Sequence, residues 1–112
     1  MHAALTEEQR LIGDMARKFA IAEIEPVAAQ LDRNEDSAKN RQLFLANLQK
    51  LAELGFMGLN VNAYYGGTDA GVVSFSLAVT EIARACASTA VTMSVTNMVG
   101  EVIQSVANEE QK

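Results

Sequence analysis

Residues that cross-link chains or bind metals are nearly missing from this sequence. It contains a single cysteine, Cys86, and a single histidine, His2, close to the N-terminal end. One cysteine cannot form a disulfide within the chain, and neither residue has a partner at the spacing of metal ligands. Cys86 also falls on an apolar stretch without a nearby base, which leaves a nucleophilic role unsupported. The sequence predicts no metal site, and its cysteine usage is typical of a reducing compartment.

Clusters of positive charge are also missing. The formal net charge is -5, and no basic run is longer than the pair Arg17-Lys18. A chain with this charge distribution is repelled by the phosphate backbone of nucleic acids. We therefore expect no nucleic-acid partner.

Long hydrophobic runs are a third absence. The apolar stretches at 71–79 and 90–95 are interrupted by serine and threonine and are too short to cross a bilayer. The first nine residues include Glu7 and Glu8 and lack the basic start and apolar centre of a secretion signal. The sequence predicts a soluble protein with no membrane partner, located in the bacterial cytoplasm or the mitochondrial matrix.

The residues that are present favour one folded domain. Hydrophobic residues make up 49% of the 112 positions and charged residues 21%, and there is one proline. This balance excludes a disordered tail and a collagen-like repeat. A globular chain of this length buries roughly 65% of the surface that its unfolded form exposes, which is enough for one compact core.

Cap signals and helical periodicity predict an all-α fold, a bundle of about five helices. The pattern Thr6-Glu7-Glu8-Gln9 is a capping box that begins the first helix. Pro26 disfavours helical geometry at the preceding Glu25, so we expect a break or kink there. A helix over about 40–54 is expected to end at Gly55 in the left-handed conformation.

Two more helices are predicted after an irregular stretch. Residues 60–71 carry consecutive turn signals and predict a loop. A helix follows over 72–86, and Ser88 is well placed to cap the last helix. The strand candidate at 57–62 is short and flanked by glycine, which leaves the all-α class unchanged.

Apolar residues at helical spacing mark the sides of these helices that are expected to face the core. They are Leu11, Met15, Phe19 and Ala22 in the first helix, Phe44, Leu48 and Leu51 with Leu45 as a further candidate over 40–54, and Phe75, Val79, Ile82 and Cys86 over 72–86. The last helix carries a longer apolar stripe, which consists of Val91, Val95, Met98, Val102 and Val106. This stripe is expected to face an apolar surface.

A second cap pattern stands near the C-terminus. Asn108-Glu109-Glu110-Gln111 repeats the reciprocal spacing of a capping box. Because a single turn is not a stable helix, a cap at this place predicts a further helix that is cut short. We expect an N-terminal α-helical domain over 1–107 and, over 108–112, the first turn of a truncated following helix or a linker.

Four stretches of the chain carry a family resemblance. They are 5–9, then 54–59 followed by Tyr65-Gly66-Gly67, then 81–97, and finally 108–112. In this order and spacing they resemble the acyl-CoA dehydrogenases, particularly the short-chain branch, over essentially the whole chain. Two departures concern the substrate: Asn62-Ala63-Tyr64 stands where the family usually has a proline and acidic residues, and Glu101 stands where the short-chain branch has a small residue.

The resemblance implies the N-terminal helical domain of a larger flavin-dependent enzyme that oxidises acyl-CoA to 2-enoyl-CoA. In complete family members a central β-domain and a C-terminal four-helix domain hold nearly all contacts to FAD and the carboxylate that removes the substrate α-proton. This chain is therefore expected to carry no catalytic residue and to bind no FAD alone. The implied partners are acyl-CoA and electron-transfer flavoprotein. We also expect a homo-oligomer, with part of the apolar stripe buried between copies.

The same resemblance implies that residues 90–98 form one wall and the floor of the acyl-chain pocket. The predicted substrate-binding residues lie on one side of a helix and are Ala90, Val91, Ser94, Val95 and Met98. Ordinary core packing is the alternative for such a stripe. Ser94 is the sharpest candidate, because a hydroxyl is an unusual choice for a core-facing position.

Other candidates have simpler explanations. Tyr65-Gly66-Gly67 is a site where a ligand could approach the backbone, but a chain-reversing turn is the preferred interpretation. Glu81 and Glu101 lack a histidine or second carboxylate at helical spacing and are expected to be solvated or salt-bridged. A second hypothesis for the whole chain is a free-standing helical interaction module that docks a partner through the apolar stripe, without catalysis.

Overall fold

A computed structural model describes residues 4–33 and 36–112, and within these ranges the chain has no β-strand. Five α-helices follow one another in these two ranges: α1 (Glu7–Phe19), α2 (Glu25–Arg33), α3 (Ser37–Glu53), α4 (Val72–Ala85) and α5 (Ala87–Val106). A π-helical turn, Ala20–Ile24, joins α1 to α2, and two 3-10 turns, Phe56–Gly58 and Ala63–Tyr65, lie between α3 and α4. The predicted all-α bundle of about five helices is confirmed. His2 lies outside the described residues.

The core forms around α4, which packs against both α1 and α5 and also contacts the π-helical turn. The buried apolar residues are Ile12, Ala16, Ala20 and Ile24 from the first helical stretch, Ala78 and Ile82 from α4, Ala90 and Met93 from α5, and Leu51, Phe56 and Leu59 from the end of α3 and the turn after it. One continuous core therefore holds all the long helices except α2, which contributes no buried residue and packs on α3.

Local signals in the sequence set the ends of α1 and α3. The Thr6 hydroxyl accepts a hydrogen bond from the Gln9 N–H at 3.1 Å, while the Gln9 side chain accepts one from the Thr6 N–H at 3.0 Å. This is the predicted capping box. Gly55 has φ +83°, which is the left-handed conformation that ends α3, and its carbonyl accepts a hydrogen bond from the Thr68 hydroxyl at 2.7 Å. Both predictions are confirmed.

The predicted core side of the first helix is right at Phe19, which packs against the core, and wrong at the other three positions. Leu11 and Met15 are 55% and 43% exposed, and Ala22 is exposed as well. The buried residues are the neighbours Ile12 and Ala16. Both pairs have the same four-residue spacing, so periodicity alone does not choose between them. The small Ala16 lets α1 lie close to α4, and that close packing decides which side turns inward.

The break expected at Pro26 takes the form of a widened turn. Glu25 keeps right-handed helical angles, φ -55° and ψ -44°, so the prediction that helical geometry is disfavoured there is wrong. The Glu25 N–H instead donates to the carbonyl of Ala20, five residues earlier. This π-helical hydrogen bond relieves the clash that a proline ring makes with the carbonyl four residues before it.

Three further expectations about helices α3 and α5 are corrected. α3 begins at Ser37 because the Asp36 carboxylate accepts a hydrogen bond from the Lys39 N–H at 3.1 Å. Leu45 is 49% exposed, so it is not a core residue. Ser88 does not cap α5, because that helix already begins at Ala87, and the residue at the cap position makes no side-chain cap bond.

The segment between α3 and α4 folds back on itself through backbone hydrogen bonds. The N–H groups of Thr68 and Asp69 donate to the carbonyls of Gly58 and Val61 at 2.9 and 3.0 Å. At the crossing, a Cβ atom placed on Gly67 would lie 2.1 Å from the Val61 carbonyl oxygen. The two passes of the chain therefore approach so closely that only glycine fits at position 67.

We expect Gly67→Ala to lower the free energy of unfolding by about 1 to 3 kcal/mol or more, because backbone must move to make room for the methyl group. Gly13→Ala is the matched control. Its added Cβ would lie 3.8 Å from Leu77 in ordinary contact, within an α-helix, so it should leave stability unchanged or raise it by about 0.5 to 1 kcal/mol. Urea unfolding followed by circular dichroism measures both. Equal stability of the two variants would contradict the close approach at Gly67.

Candidate functional site

A shallow apolar groove runs between α4 and the N-terminal half of α5. Its volume is about 270 Å³, and its lining residues are Val79 and Ala83 from α4 and Ala87, Ala90, Val91, Ser94 and Val95 from α5. Apart from the one serine, every lining side chain is apolar and none is charged. Such a surface can accept a hydrocarbon chain, but it holds no group that could take or give a proton.

The structure brings four of the five predicted substrate-binding residues together at this groove. Ala90 forms its base at 3% exposure, Ser94 is half-buried, and Val91 and Val95 are exposed at its edge. Met98 is 56% exposed and is not among the lining residues. The role of all five in binding substrate stays a prediction.

Sequence reasoning missed the contribution of α4. Val79 is a predicted core residue and does pack there, but it also lines the groove together with Ala83, four residues further along α4. The spacing of four shows that the two residues share a side of the helix. It does not show which neighbouring helix that side meets, so no signal in the sequence pointed to the groove from α4.

Ser94 differs from Thr92 and Thr96, the hydroxyl residues two positions before and after it on α5. Thr92 and Thr96 donate to carbonyls four residues earlier, at 3.1 Å to Ser88 and 2.8 Å to Thr92. The Ser94 hydroxyl makes no hydrogen bond to any residue within 4–33 and 36–112, and it borders the groove. A hydroxyl left free in this way is available to a ligand or to water.

The side of α5 that faces away from the core is broadly apolar. The whole predicted stripe of Val91, Val95, Met98, Val102 and Val106 is between 46% and 79% exposed, and Val99 and Ile103 add to it. The stripe therefore faces no apolar surface within the described chain. An apolar area of this kind is unusual on a monomeric protein and marks an interaction or binding surface.

The isolated acids and the glycine turn behave as their simpler interpretations predict. Glu81 is paired with Arg84 at 3.5 Å, and Glu101 is exposed. Gly66, at φ +86°, closes the 3-10 turn that Ala63 begins, which makes Tyr65-Gly66-Gly67 a chain-reversing turn. Among the described residues, no group of three or more histidine, cysteine or acidic side chains could hold a metal ion.

The C-terminal turn contacts the loop that precedes α4 through a hydrogen bond between side chains. The Tyr65 hydroxyl donates to the Glu109 carboxylate at 3.2 Å, and the Lys112 ammonium lies 3.4 Å from the same carboxylate and 5.6 Å from the centre of the Tyr65 ring. Desolvation is the largest single influence and lowers the pKa of Lys112, but the charges and hydrogen bonds of Glu109 and Tyr65 together raise it more, so the net pKa lies above the ordinary value. Asn108 and Gln111 exchange two hydrogen bonds, at 3.0 and 3.2 Å, in the capping-box pattern.

No helix in 4–33 or 36–112 combines the length and the apolar character needed to cross a membrane.

Comparison with known proteins gives a consistent result over nearly the whole chain. Residues 6–112 match the acyl-CoA dehydrogenase N-terminal domain. The chain is 35% identical over 109 residues to a short-chain-specific acyl-CoA dehydrogenase of Clostridium acetobutylicum, which covers 96% of this chain and 27% of that protein. It is 33% identical over 113 aligned positions to an acryloyl-CoA reductase (NADH) of Anaerotignum propionicum, covering 100% and 27%.

A mammalian protein is similar as well. The mitochondrial short-chain-specific acyl-CoA dehydrogenase of Mus musculus is 39% identical over 94 residues, which covers 83% of this chain and 21% of that protein. The chain thus spans only about a fifth to a quarter of the length of these relatives. The segment they share with it is the helical region described above.

We expect copies of the 112-residue chain to associate through the exposed stripe of α5. Val102→Glu should raise the dissociation constant of the assembly by roughly tenfold or more, because it places a charge in an apolar contact. Gln49→Glu is the matched control, since it adds the same charge at an exposed position on α3, away from the stripe. Sedimentation velocity over a range of concentrations measures both. A chain that is strictly monomeric at high concentration would contradict this prediction.

Proposed function

Because this chain belongs to the acyl-CoA dehydrogenase family, whose N-terminal domain matches residues 6–112, we propose that it supplies part of the acyl-chain pocket of a flavin-dependent enzyme that oxidises acyl-CoA to 2-enoyl-CoA. The observation that supports this role is the apolar groove between α4 and α5, which four of the predicted substrate-binding residues line. The whole protein takes acyl-CoA as substrate and passes electrons to electron-transfer flavoprotein. It acts as a homo-oligomer in the bacterial cytoplasm or the mitochondrial matrix.

In the reaction, this chain binds the acyl tail of the substrate and excludes water from it. An acyl tail placed in the groove would gain about 0.8 kcal/mol for each methylene removed from water. The groove is short, and its edge is set by the bulk of Val91 and Val95. Pockets of this type separate substrates that differ by one methylene by about 1 to 3 kcal/mol, so the groove residues would limit chain length. The carboxylate that removes the α-proton belongs to another part of the protein.

FAD is the cofactor that the family implies, and the described part of the chain does not fit a whole flavin site. A flavin with its two phosphates needs a large cavity with donors or positive charge. The groove that contains Arg17 and Arg84 has a volume of only about 210 Å³ and also contains Glu25 and Glu81. The negative charges of these two acids would repel the phosphates of a flavin nucleotide. We therefore derive no step through the flavin from this chain.

The chain divides, in this proposal, into an N-terminal α-helical domain over 1–107 and the first turn of a following helix over 108–112. The two hydrogen bonds between Asn108 and Gln111 support a helix start at this place. The Tyr65–Glu109 contact would hold that turn against the helical domain.

The exposed stripe of α5 favours a second candidate, a helical interaction module that docks a partner without catalysis. An unpartnered apolar side of this length is what such a module presents. The gene sequence beyond Lys112 separates the two candidates. A reading frame that continues into strands and more helices supports the enzyme, whereas a stop codon there supports the module.

We expect the complete protein to show flavin absorbance and to oxidise short acyl-CoA thioesters, while the purified 112-residue chain is colourless and inactive. The reason is that the chain offers one wall of a pocket and no proton acceptor in it. Absorbance spectra and a turnover assay with an artificial electron acceptor measure both. Flavin absorbance together with turnover in the 112-residue chain would contradict the proposal that the flavin site and the proton acceptor belong to other parts of the protein.

We expect Ala83→Leu in the complete protein to shift its preference toward shorter acyl chains. Leucine at this position extends into the groove from α4. The kcat/KM for the longest accepted substrate should fall by roughly tenfold or more relative to the shortest, since one methylene in a tight pocket counts about 1 to 3 kcal/mol. Ala46→Leu, at an exposed position on α3, is the control. An equal fall in kcat/KM for substrates of every chain length would show that the groove does not select the length of the acyl tail.

A further inference from the structure

The segment 56–62 crosses α5 with only part of the backbone pairing that a strand or a helix would give it. The N–H groups of Thr68 and Asp69 donate to its Gly58 and Val61 carbonyls, but within 4–33 and 36–112 the N–H and carbonyl of Asn60 bond to no other backbone group. It contains one short 3-10 turn, Phe56–Gly58, followed by turns, yet Phe56 and Leu59 are buried. Buried backbone N–H and C=O groups need hydrogen-bond partners, since an unpaired group costs as much as a lost hydrogen bond. In this segment the side chains of α5 supply several of those partners.

Asn97 is the first of these side chains and is completely buried. Its Nδ2 donates to the carbonyls of Phe56 and of Met93, both at 2.9 Å. Its Oδ1 accepts a hydrogen bond from the Asn60 N–H at 3.3 Å. Both amide hydrogens are therefore used, and one side chain joins α5 to two points of the segment.

Gln104 is the second side chain, two helical turns further along α5 on the same side. Its Nε2 donates to the Asn60 carbonyl at 2.9 Å, and its Oε1 accepts from the Asn62 N–H at 2.8 Å. Gly100 lies between the two amides, and a Cβ there would be only 2.8 Å from a methyl group of Val61. The segment therefore rests directly on α5, held by an amide on each side of a glycine.

These contacts give the backbone of Asn60 the pairing that a neighbouring strand would provide. Its N–H is bonded by Asn97 and its carbonyl by Gln104. A helix held at two points along one side can neither slide nor rotate without breaking both. α5 is one continuous helix, Ala87–Val106. Fixing its rotation at Asn97 therefore also fixes the direction of the Ser94 side chain, one turn earlier.

We propose that Asn97 and Gln104 are positioning residues, which bind the backbone of segment 56–62 and thereby fix the rotation of α5 that presents Ala90 and Ser94 to the groove. Their relevance to an acyl chain rests on the proposed function, but the positioning itself does not. α4 alone leaves the rotation of α5 less constrained, because α4 has 14 residues against the 20 of α5. Fourteen residues counted from the start of α5 end at Gly100, and Gln104 holds the part of the helix beyond that point.

The test uses NMR spectroscopy of the 112-residue chain with Gln104→Met, which keeps the length of the side chain and removes both hydrogen bonds. We expect hydrogen exchange at the Asn62 amide to become roughly three- to tenfold faster, the range that one ordinary hydrogen bond gives. The methyl resonances of Val91 and Val95, at the edge of the groove, should shift as well. Gln104→Glu keeps an acceptor for the Asn62 N–H and should retain most of its protection.

Two controls separate positioning from general loss of stability. Gln49→Met makes the same exchange of side chains at an exposed position on α3 and should change neither readout. Ile12→Val removes one buried methylene from α1 and should destabilise the fold without shifting the Val91 and Val95 methyl resonances.

Two results would overturn the proposal. Unchanged exchange at Asn62 in Gln104→Met would show that the side chain does not hold the segment. Faster exchange with methyl shifts no larger than those of Ile12→Val would show that the contact is local and does not position α5. Neither readout involves substrate, so an inactive complete protein would count against the proposed function alone.

Discussion

The close contact that α4 makes with its neighbours depends on small side chains. Ala16 and Ala20 are buried on one partner, Ala78 on α4 and Ala90 on α5. Alanine lets two helices pack near the short end of the usual range of axis distances, about 8 to 10 Å. A large side chain at the position of one of these alanines would hold the helices further apart. The alanines therefore keep the helices close enough for Ile12, Ile82 and Met93 to fill the space beside them.

Features that depend on neighbouring residues in the chain could be predicted from the sequence. The capping box at Thr6 and the left-handed Gly55 are examples, because the atoms that form them are within four residues of one another. The inward side of α1 could not be predicted, since Leu11 with Met15 and Ile12 with Ala16 have the same spacing. The choice between them is made by α4, more than fifty residues away in the sequence.

The candidate site likewise has a part that the sequence predicts and a part that depends on contacts between distant residues. Ala90, Val91, Ser94 and Val95 could be grouped because they share one helix. Val79 and Ala83 could not be added, because spacing within α4 carries no information about α5. Nothing in the sequence distinguishes Asn97 and Gln104 from other polar residues on a helix. An amide on a helix gives no sign of its partner until the path of segment 56–62 is known.

Two sides of α5 have different roles, one in the amide contacts and the other in the groove. One side meets the backbone of segment 56–62 with polar groups whose hydrogen bonds have defined directions. The adjoining side presents apolar groups that bind without direction. Directed contacts fix a position, whereas undirected contacts tolerate ligands of varied shape. A helix that combines them can be rigid in place and permissive in what it binds.

The π-helical turn sets the phase between α1 and α2. Ile12, Ala16, Ala20 and Ile24 are buried at a constant interval of four residues, which drifts by about 40° per step around an ideal α-helix. The wider turn at Ala20–Ile24 holds an additional residue and takes up part of this drift. Loss of one residue there would rotate α2 by about 100° relative to α1. Its half-buried residues Val27, Ala28 and Leu31 would then turn away from α3, so the length of this short turn, and not its composition, determines how α2 joins the bundle.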